Sequence, residues 1–444
     1  VAFVVTSRIV SKSFVIALAL IGLVSLTACE KTNHANIDKW MTSKKGLGKL
    51  QGALRNIGLD ADLSAHAAEN LYKRGDDEDV KKAFEAMGPE RRAKVIAKLA
   101  PRLWNMARVE GEMAKPSPIQ EAGKDALFEL REYADDDTRG VIDGYLTDWL
   151  TGGYFEGRAI AGRYQGVTII RALGPKAGER LIAEANRIIA TPDKDGRRRK
   201  MGDQLLFGLA ASGSPDAVKL VLEIATMDRG DETLTARAVG SVWKAYIDPG
   251  GLFPVAEPAA LGPSLDRLGA IARDDSQGAR VANDAVELIR AAGMPGCLAP
   301  LTTMVSQPHR DPRFRWVGAN NAIRCGGAQA LPIVAAQLSP NGAYEQAQLV
   351  GSVVTPLTSL GDREAILAAA RALLVDKSWV ARWVGVEALV ALGSKTDADR
   401  VAALGADKAK LNGFWGDQSG LDKKAQKPVP TLGQRATELA ATLR

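Results

Sequence analysis

Only three cysteines and three histidines stand in the 444 residues, and aromatic residues make up 5%. So few cysteines exclude a disulfide-stapled scaffold. No Cys-x-x-Cys or His-x-x-x-His occurs, and His34, His66 and His309 are nowhere at metal-ligand spacing. No metal and no cofactor is therefore expected. Few aromatics beside abundant alanine and leucine disfavour sandwiches and barrels and favour helices. Catalytic signatures are missing too: no phosphate-cradling glycine loop, no dinucleotide fingerprint and no nucleophile motif. The glycines from Gly157 to Gly166 follow no strand pattern, and the chain is expected not to be an enzyme. Charge of one sign is in short supply as well. A formal +6, from 58 basic and 52 acidic residues, lacks the dense basic stripe of a nucleic-acid binder. No nucleic-acid partner is expected.

The apolar run Phe14–Leu26 holds thirteen residues, too few for a bilayer core that needs roughly 20 in a helix. Preceded by Arg8 and Lys12, it has the form of a secretory signal, residues 1–28. The run closes on Leu26-Thr27-Ala28-Cys29, which resembles the lipobox of bacterial lipoproteins. That resemblance implies a diacylglycerol on the Cys29 thiol, cleavage before Cys29 and acylation of the freed amine. Two or three acyl chains anchor a protein stably where one does not. Residue 30 is Glu, not the aspartate that holds enterobacterial lipoproteins at the inner membrane. The resemblance therefore implies the outer membrane, periplasmic face. Residues 29–45 read as a polar tether.

A period emerges further along, and with 444 residues a repeat array is one of the organisations to expect. Glycines 174, 213, 251, 293, 327, 361 and 393 recur 32 to 42 residues apart. Four residues before each stands an aliphatic: Ile170, Leu209, Ile247, Ile289, Ile323, Leu357 and Leu389. Helix-opening chemistry follows several of them, as in Gly174-Pro175, Ser214-Pro215-Asp216 and Asp362. Each unit reads as a first helix, a glycine turn and a second helix. In DKSWVARWVGVEALVALGSKTDADRVAAL, residues 376–404, Val380, Val384, Ala388 and Leu392 mark one face of the first helix. A hairpin cannot bury such a stripe alone, and stacking in a row does so.

The order Asp376, Arg382, Ala388-Leu389, Gly393 resembles the HEAT-like repeat of the bilin-lyase type. Similar Asp-to-Arg steps are Asp311/Arg315, Asp275/Arg280, Asp231/Arg237 and Asp195/Arg199. The resemblance implies an Asp that caps a helix and an Arg that pairs with a neighbouring unit's acid. The units at 251 and 361 depart from it, with Pro249 at one turn and Val350 in the arginine's place. The expected fold is an all-α solenoid of HEAT-like hairpins over 156–405, with an N-terminal helical cap at 46–155. Residues 406–444 read as a loop and a short helix docking back. With the lipobox, the chain resembles a bacterial HEAT-repeat lipoprotein.

Several smaller features complete the reading. Cys297 and Cys325 lie 28 positions apart in adjacent units; a disulfide is sterically allowed, and so are two buried thiols. The acidic runs Asp76–Asp79 and Asp135–Asp137 precede helices and suit the helix dipole better than a calcium loop. Arg197–Lys200 and His309 read as turn residues, and Trp316, Trp379 and Trp383 as inter-repeat core. The expected function is a membrane-anchored, non-enzymatic scaffold for a periplasmic protein or peptide, with the second helices as binding wall. An assembly or chaperone subunit of an envelope machine is the alternative, and a bilin-lyase-like enzyme a minor one.

Overall fold

A computed structural model describes residues 31–111, 114–191, 201–227, 232–248, 250, 255–306, 313–338, 345–412 and 428–444. Among these residues the chain is helical and has no strand; one isolated bridge pairs Lys410 with Thr431. Two compact units divide it, one ending at Gln165 and the other beginning at Gly166.

The first unit holds eight described helices: α1 (His34–Thr42), α2 (Gly46–Arg55), α3 (Ala61–Arg74), α4 (Asp77–Ala86), α5 (Pro89–Ala107), α6 (Pro118–Leu130), α7 (Asp136–Thr151) and α8 (Phe155–Ala159). The segment 29–45, read as a tether, is helical from His34. Asn33 caps α1 by accepting from the Asn36 amide, and Ile37 and Trp40, three apart on one face, are buried on α2 and α3. A polar stretch with two well-spaced apolar residues is enough for docking once a neighbour offers a groove. Central to the unit is α3, buried from Ser64 to Tyr72 and packed against α1, α2, α4, α5 and α6. It stops at Gly75 in the left-handed region (φ 79), where the Asp76 amide reaches back to the Leu71 carbonyl. The acidic run 135–137 opens a helix: Asp135 accepts from the Thr138 amide at 2.8 Å, and the bonds from the Thr138 hydroxyl and then its amide hold the Asp135 carboxyl below the ordinary range.

A buried cation fixes the end of this unit. The Lys124 side chain is 1% exposed, and its ammonium bonds Asp125 at 2.5 Å and the carbonyls of Ala161 and Tyr164 at 2.8 and 2.6 Å. Asp125 in turn accepts from the amides of Arg163 and Tyr164. Burial pushes the Lys124 ammonium below its usual range, against the pull of Asp125.

The second unit is a row of hairpins. They are α9 (Gly166–Leu173) with α10 (Pro175–Ala190), α11 (Asp203–Ala211) with α12 (Pro215–Met227), and α13 (Glu232–Tyr246) with a 3-10 turn (Pro258–Ser264) running into α14 (Leu265–Ala272). Next come α15 (Ala279–Ala291) with α16 (Leu298–Ser306), then α17 (Arg313–Ala336), which kinks at Gly327 and supplies both helices of its pair. The row continues with α18 (Glu345–Leu357) and α19 (Arg363–Leu373), then α20 (Trp379–Ala391) and α21 (Ala398–Ala402). First helices stack on first helices, as α11 on α13 and α13 on α15; second helices follow, as α10 on α12. The last helix, α22 (Leu432–Leu443), packs on α20 and α21. This is an all-α solenoid.

The glycine pattern has a backbone cause. Glycines 174, 213, 293, 327 and 393 all have positive φ, between 50 and 75°, which L side chains rarely adopt. At Gly393 the Ser394 amide reaches the Leu389 carbonyl at 3.0 Å and the Gly393 amide reaches Val390 at 2.9 Å, closing the helix end. At Leu389, and at Ile170 before Gly174, the aliphatic four residues earlier carries a carbonyl that receives the turn. Ile170, Leu209, Ile289, Ile323, Leu357 and Leu389 are buried, and Ile247 is half-buried. Two positions differ. Gly251 lies outside the described residues, and its neighbour Gly250 takes the positive φ of 65°. Gly361 has no positive φ: after Pro356, α18 ends by tightening through Thr358, Ser359 and Leu360 amides bonded three residues back.

Candidate functional site

The lipobox residues Leu26, Thr27, Ala28 and Cys29 lie outside the described residues, as do Arg197–Lys200 and His309. Cys297 and Cys325 are brought together and form a disulfide, with Cα atoms 6.6 Å apart. It ties the start of α16 to the first half of α17, and so joins two neighbouring hairpins. Trp383 is buried, whereas Trp316 and Trp379 are half-buried.

The arginine steps expected from the repeat resemblance divide. Arg237 on α13 bonds Asp203 at 2.5 Å and the Met201 carbonyl at 2.6 Å, both in the preceding hairpin. Arg382 bonds Asp407 at 2.7 Å and the carbonyls of Asp376 and Lys377, while Asp376 accepts from the Ser378 amide at the start of α20. Arg315 reaches the Val305 carbonyl of the preceding hairpin at 2.8 Å. Arg280 instead faces Asp284 on its own helix, at 3.9 Å, and is 88% exposed. The capping candidates Asp195, Asp231 and Asp311 fall outside the described residues.

Arg280 edges a cleft of about 340 Å³ that crosses α11, α13 and α15. Asp203 and Phe207 come from α11, Arg237, Ser241 and Lys244 from α13, and Asp284 with Arg280 from α15. The spacing on each helix is three or four residues, which keeps the set on one face. Burial pushes the Asp284 carboxyl upward, opposed by Arg280 and reinforced by Glu287. Glu287 accepts from the Trp243 indole at 2.6 Å. The cleft lies along first helices, not along the second helices that the sequence reading chose as binding wall. Polar residues three or four apart on α13 and α15 were the available signal. It is invisible without knowing that those helices are neighbours.

A further cleft, in the first unit, runs past Lys81, Phe128, Glu129 and Arg131. Its charges are committed to structure: Lys81 and the Tyr164 hydroxyl meet Glu129, and Arg131 bonds Asp143. Among the described residues, no group of three or more His, Cys, Asp and Glu side chains could hold a metal ion, and no helix is long and apolar enough to cross a membrane.

The geometry defines an all-α repeat protein whose second unit offers a grooved, charged face of first helices. No protein-family model and no curated protein matches the sequence. Solved structures resemble it remotely. An engineered protein aligns over 89% of this chain and 98% of its own at 14% identity, with a TM-score of 0.28. A karyopherin bound to the extreme C-terminus of a protein phosphatase aligns over 90% of this chain at 12% identity, with a TM-score of 0.37; this chain spans 47% of that protein's length. Human deoxyhypusine hydroxylase, in complex with glycerol, aligns over 67% of this chain and 97% of its own at 18% identity, with a TM-score of 0.21.

Proposed function

We propose that the chain is a lipoprotein held by Cys29 at the periplasmic face of the outer membrane, where its hairpin row acts as a non-enzymatic scaffold for a protein or peptide. One observation carries the binding part of this reading: the cleft over α11, α13 and α15. It is open, spans three repeats and presents Lys244 and Arg280 beside Asp203 and Asp284. A shallow face of mixed charge suits an extended polypeptide better than a small ligand, which would sit in a closed, mostly apolar pocket. The anchoring part rests on the Leu26–Cys29 box and the apolar run before it. Confinement at a surface raises the effective concentration of such a scaffold for partners on the same surface.

Two experiments test the two parts separately. Radiolabelled palmitate should enter the native chain and not Cys29→Ala; equal labelling defeats the anchoring. Crosslinking in intact envelopes should capture a partner with the native chain, and the double variant Lys244→Glu, Arg280→Glu should lose most of it. Equal capture by the double variant removes the cleft from the proposal.

A further inference from the structure

Two of the three histidines, 32 positions apart in sequence, meet between α1 and α3. The Nδ1 atoms of His34 and His66 stand 2.9 Å apart. Their far nitrogens face carboxylates: His34 Nε2 lies 3.2 Å from Asp62 and His66 Nε2 2.8 Å from Asp38. An ionised carboxylate only accepts, so each Nε2 carries a hydrogen. Two neutral rings with that tautomer would then point bare Nδ1 lone pairs at each other, which is repulsive. One additional proton between them satisfies every nitrogen.

A metal ion is the other species that could join two such nitrogens, and the ring placement speaks against it. The centroids are 5.1 Å apart, the nitrogen separation plus a ring radius at each end. The nitrogens therefore meet head-on rather than converging on a third point, as ligands of one ion do.

The surrounding charges balance for a single extra proton. Asp38 comes from α1, and Asp62 and Glu69 from α3; Arg102 of α5 bonds both Asp62 and Glu69, and Lys73 bonds Glu69 at 2.7 Å. Three carboxylates thus face Arg102, Lys73 and one imidazolium. Burial pushes the His66 imidazolium below its usual range, aided by Arg102 and His34 and opposed by Asp38 and Glu69. On α2, Lys49 lies over the Trp40 ring and Arg55 reaches Asp79. A second proton would set one Nδ1–H against the other and leave a positive charge with no carboxylate to spare. Loss of the shared proton would restore the facing lone pairs or break one carboxylate bond.

We propose that His34 and His66 share one proton and thereby clasp α1 onto α3, a clasp that holds at intermediate pH and opens when acid adds a second proton. Where Cys29 anchors the chain, as proposed above, release of α1 would lengthen the tether; the clasp itself does not depend on that reading.

The test is hydrogen exchange of the 34–42 segment in the whole chain between pH 5 and 8, corrected for intrinsic exchange, with 379–391 as internal reference. Protection of 34–42 should pass through a maximum and fall about tenfold toward the acid end, while the reference stays flat. His34→Gln, at a half-exposed position that leaves the core intact, should flatten the profile, and His66→Gln should do the same. A wild-type profile that does not change with pH, or one that survives His34→Gln, overturns the clasp. So does protection that falls with EDTA and is restored by zinc or copper, because a metal would then hold the pair.

Discussion

Deleting the carboxylate of Asp397 should loosen the last hairpin and leave the rest of the row standing. Asp397 sits at the end of the 3-10 turn Lys395–Asp397 that leads into α21, with a fully buried side chain. It accepts from Arg371 Nε at 2.9 Å, from the Ser394 hydroxyl at 2.6 Å and from Arg400 at 2.5 Å. Removing one member of a buried ion pair costs about 3–5 kcal/mol, because the remainder is stranded. Arg371 and Arg400 are 29% and 60% exposed and can recover water, so Asp397→Ala is expected near the lower end, about 3 kcal/mol. Asp397→Asn keeps an acceptor of the same shape and should cost about 1–2 kcal/mol. Repeat rows need not unfold in one step, so the measurement is hydrogen exchange over 379–402 against 166–190.

The pH dependence carries a sign that tests the cause. Burial alone would raise the Asp397 carboxyl, but the bonds from Arg371, Ser394 and Arg400 outweigh it and hold it well below the ordinary carboxylate range. A depressed native value means that the stabilisation is complete above the unfolded value, about 3.9. It is lost as pH falls from there toward the native value. The difference between wild type and Asp397→Asn should therefore be constant from pH 5 to 8 and shrink below about pH 4. Equal protection of 379–402 in Asp397→Ala and wild type would refute the reasoning, as would a difference that grows with acid.

Two other perturbations follow from the same physical reading. Lys124→Met strands the Ala161 and Tyr164 carbonyls and should raise exchange across 118–130 and 155–165 by about 2–3 kcal/mol. Because the native ammonium is held below its usual range, wild type should gain stability as pH rises from that lowered value toward about 10.4, and the variant should not; parallel curves would contradict this. Replacing Cys297 and Cys325 together by serine opens a loop spanned by 28 positions and should lower the stability of the joined hairpins by about 3–4 kcal/mol in the chain-entropy account. Thiol titration of the unfolded chain, with and without reductant, checks the bond itself: an unchanged count would remove the premise.

Much of the array could be read from the sequence because its signals are local. A helix that ends in a left-handed residue needs glycine there and an apolar residue four positions before it, whatever surrounds them, and Ile170 to Gly174 and Leu389 to Gly393 follow that rule. Where another residue did the work, the reading slipped. Pro356 ends α18 without a left-handed glycine at 361, and Gly250 turns in place of its neighbour as far as the described residues go. Segment 29–45 read as tether because a polar stretch scores as one; the burial of Ile37 and Trp40 depends on α2 and α3, which sequence patterning does not position.

Backbone stereochemistry and the period of apolar residues, both carried by a few adjacent positions, were enough to determine helices, turns and their order as hairpins. Which side chains meet was decided by packing between helices far apart in the chain. Rotation of one helix by a single residue turns a side chain by about 100°, so no spacing rule announces that His34 would face His66, that Arg371 would reach Asp397 or that three first helices would share a cleft. Those contacts exist because the tertiary structure fixed the rotation and neighbour of each helix.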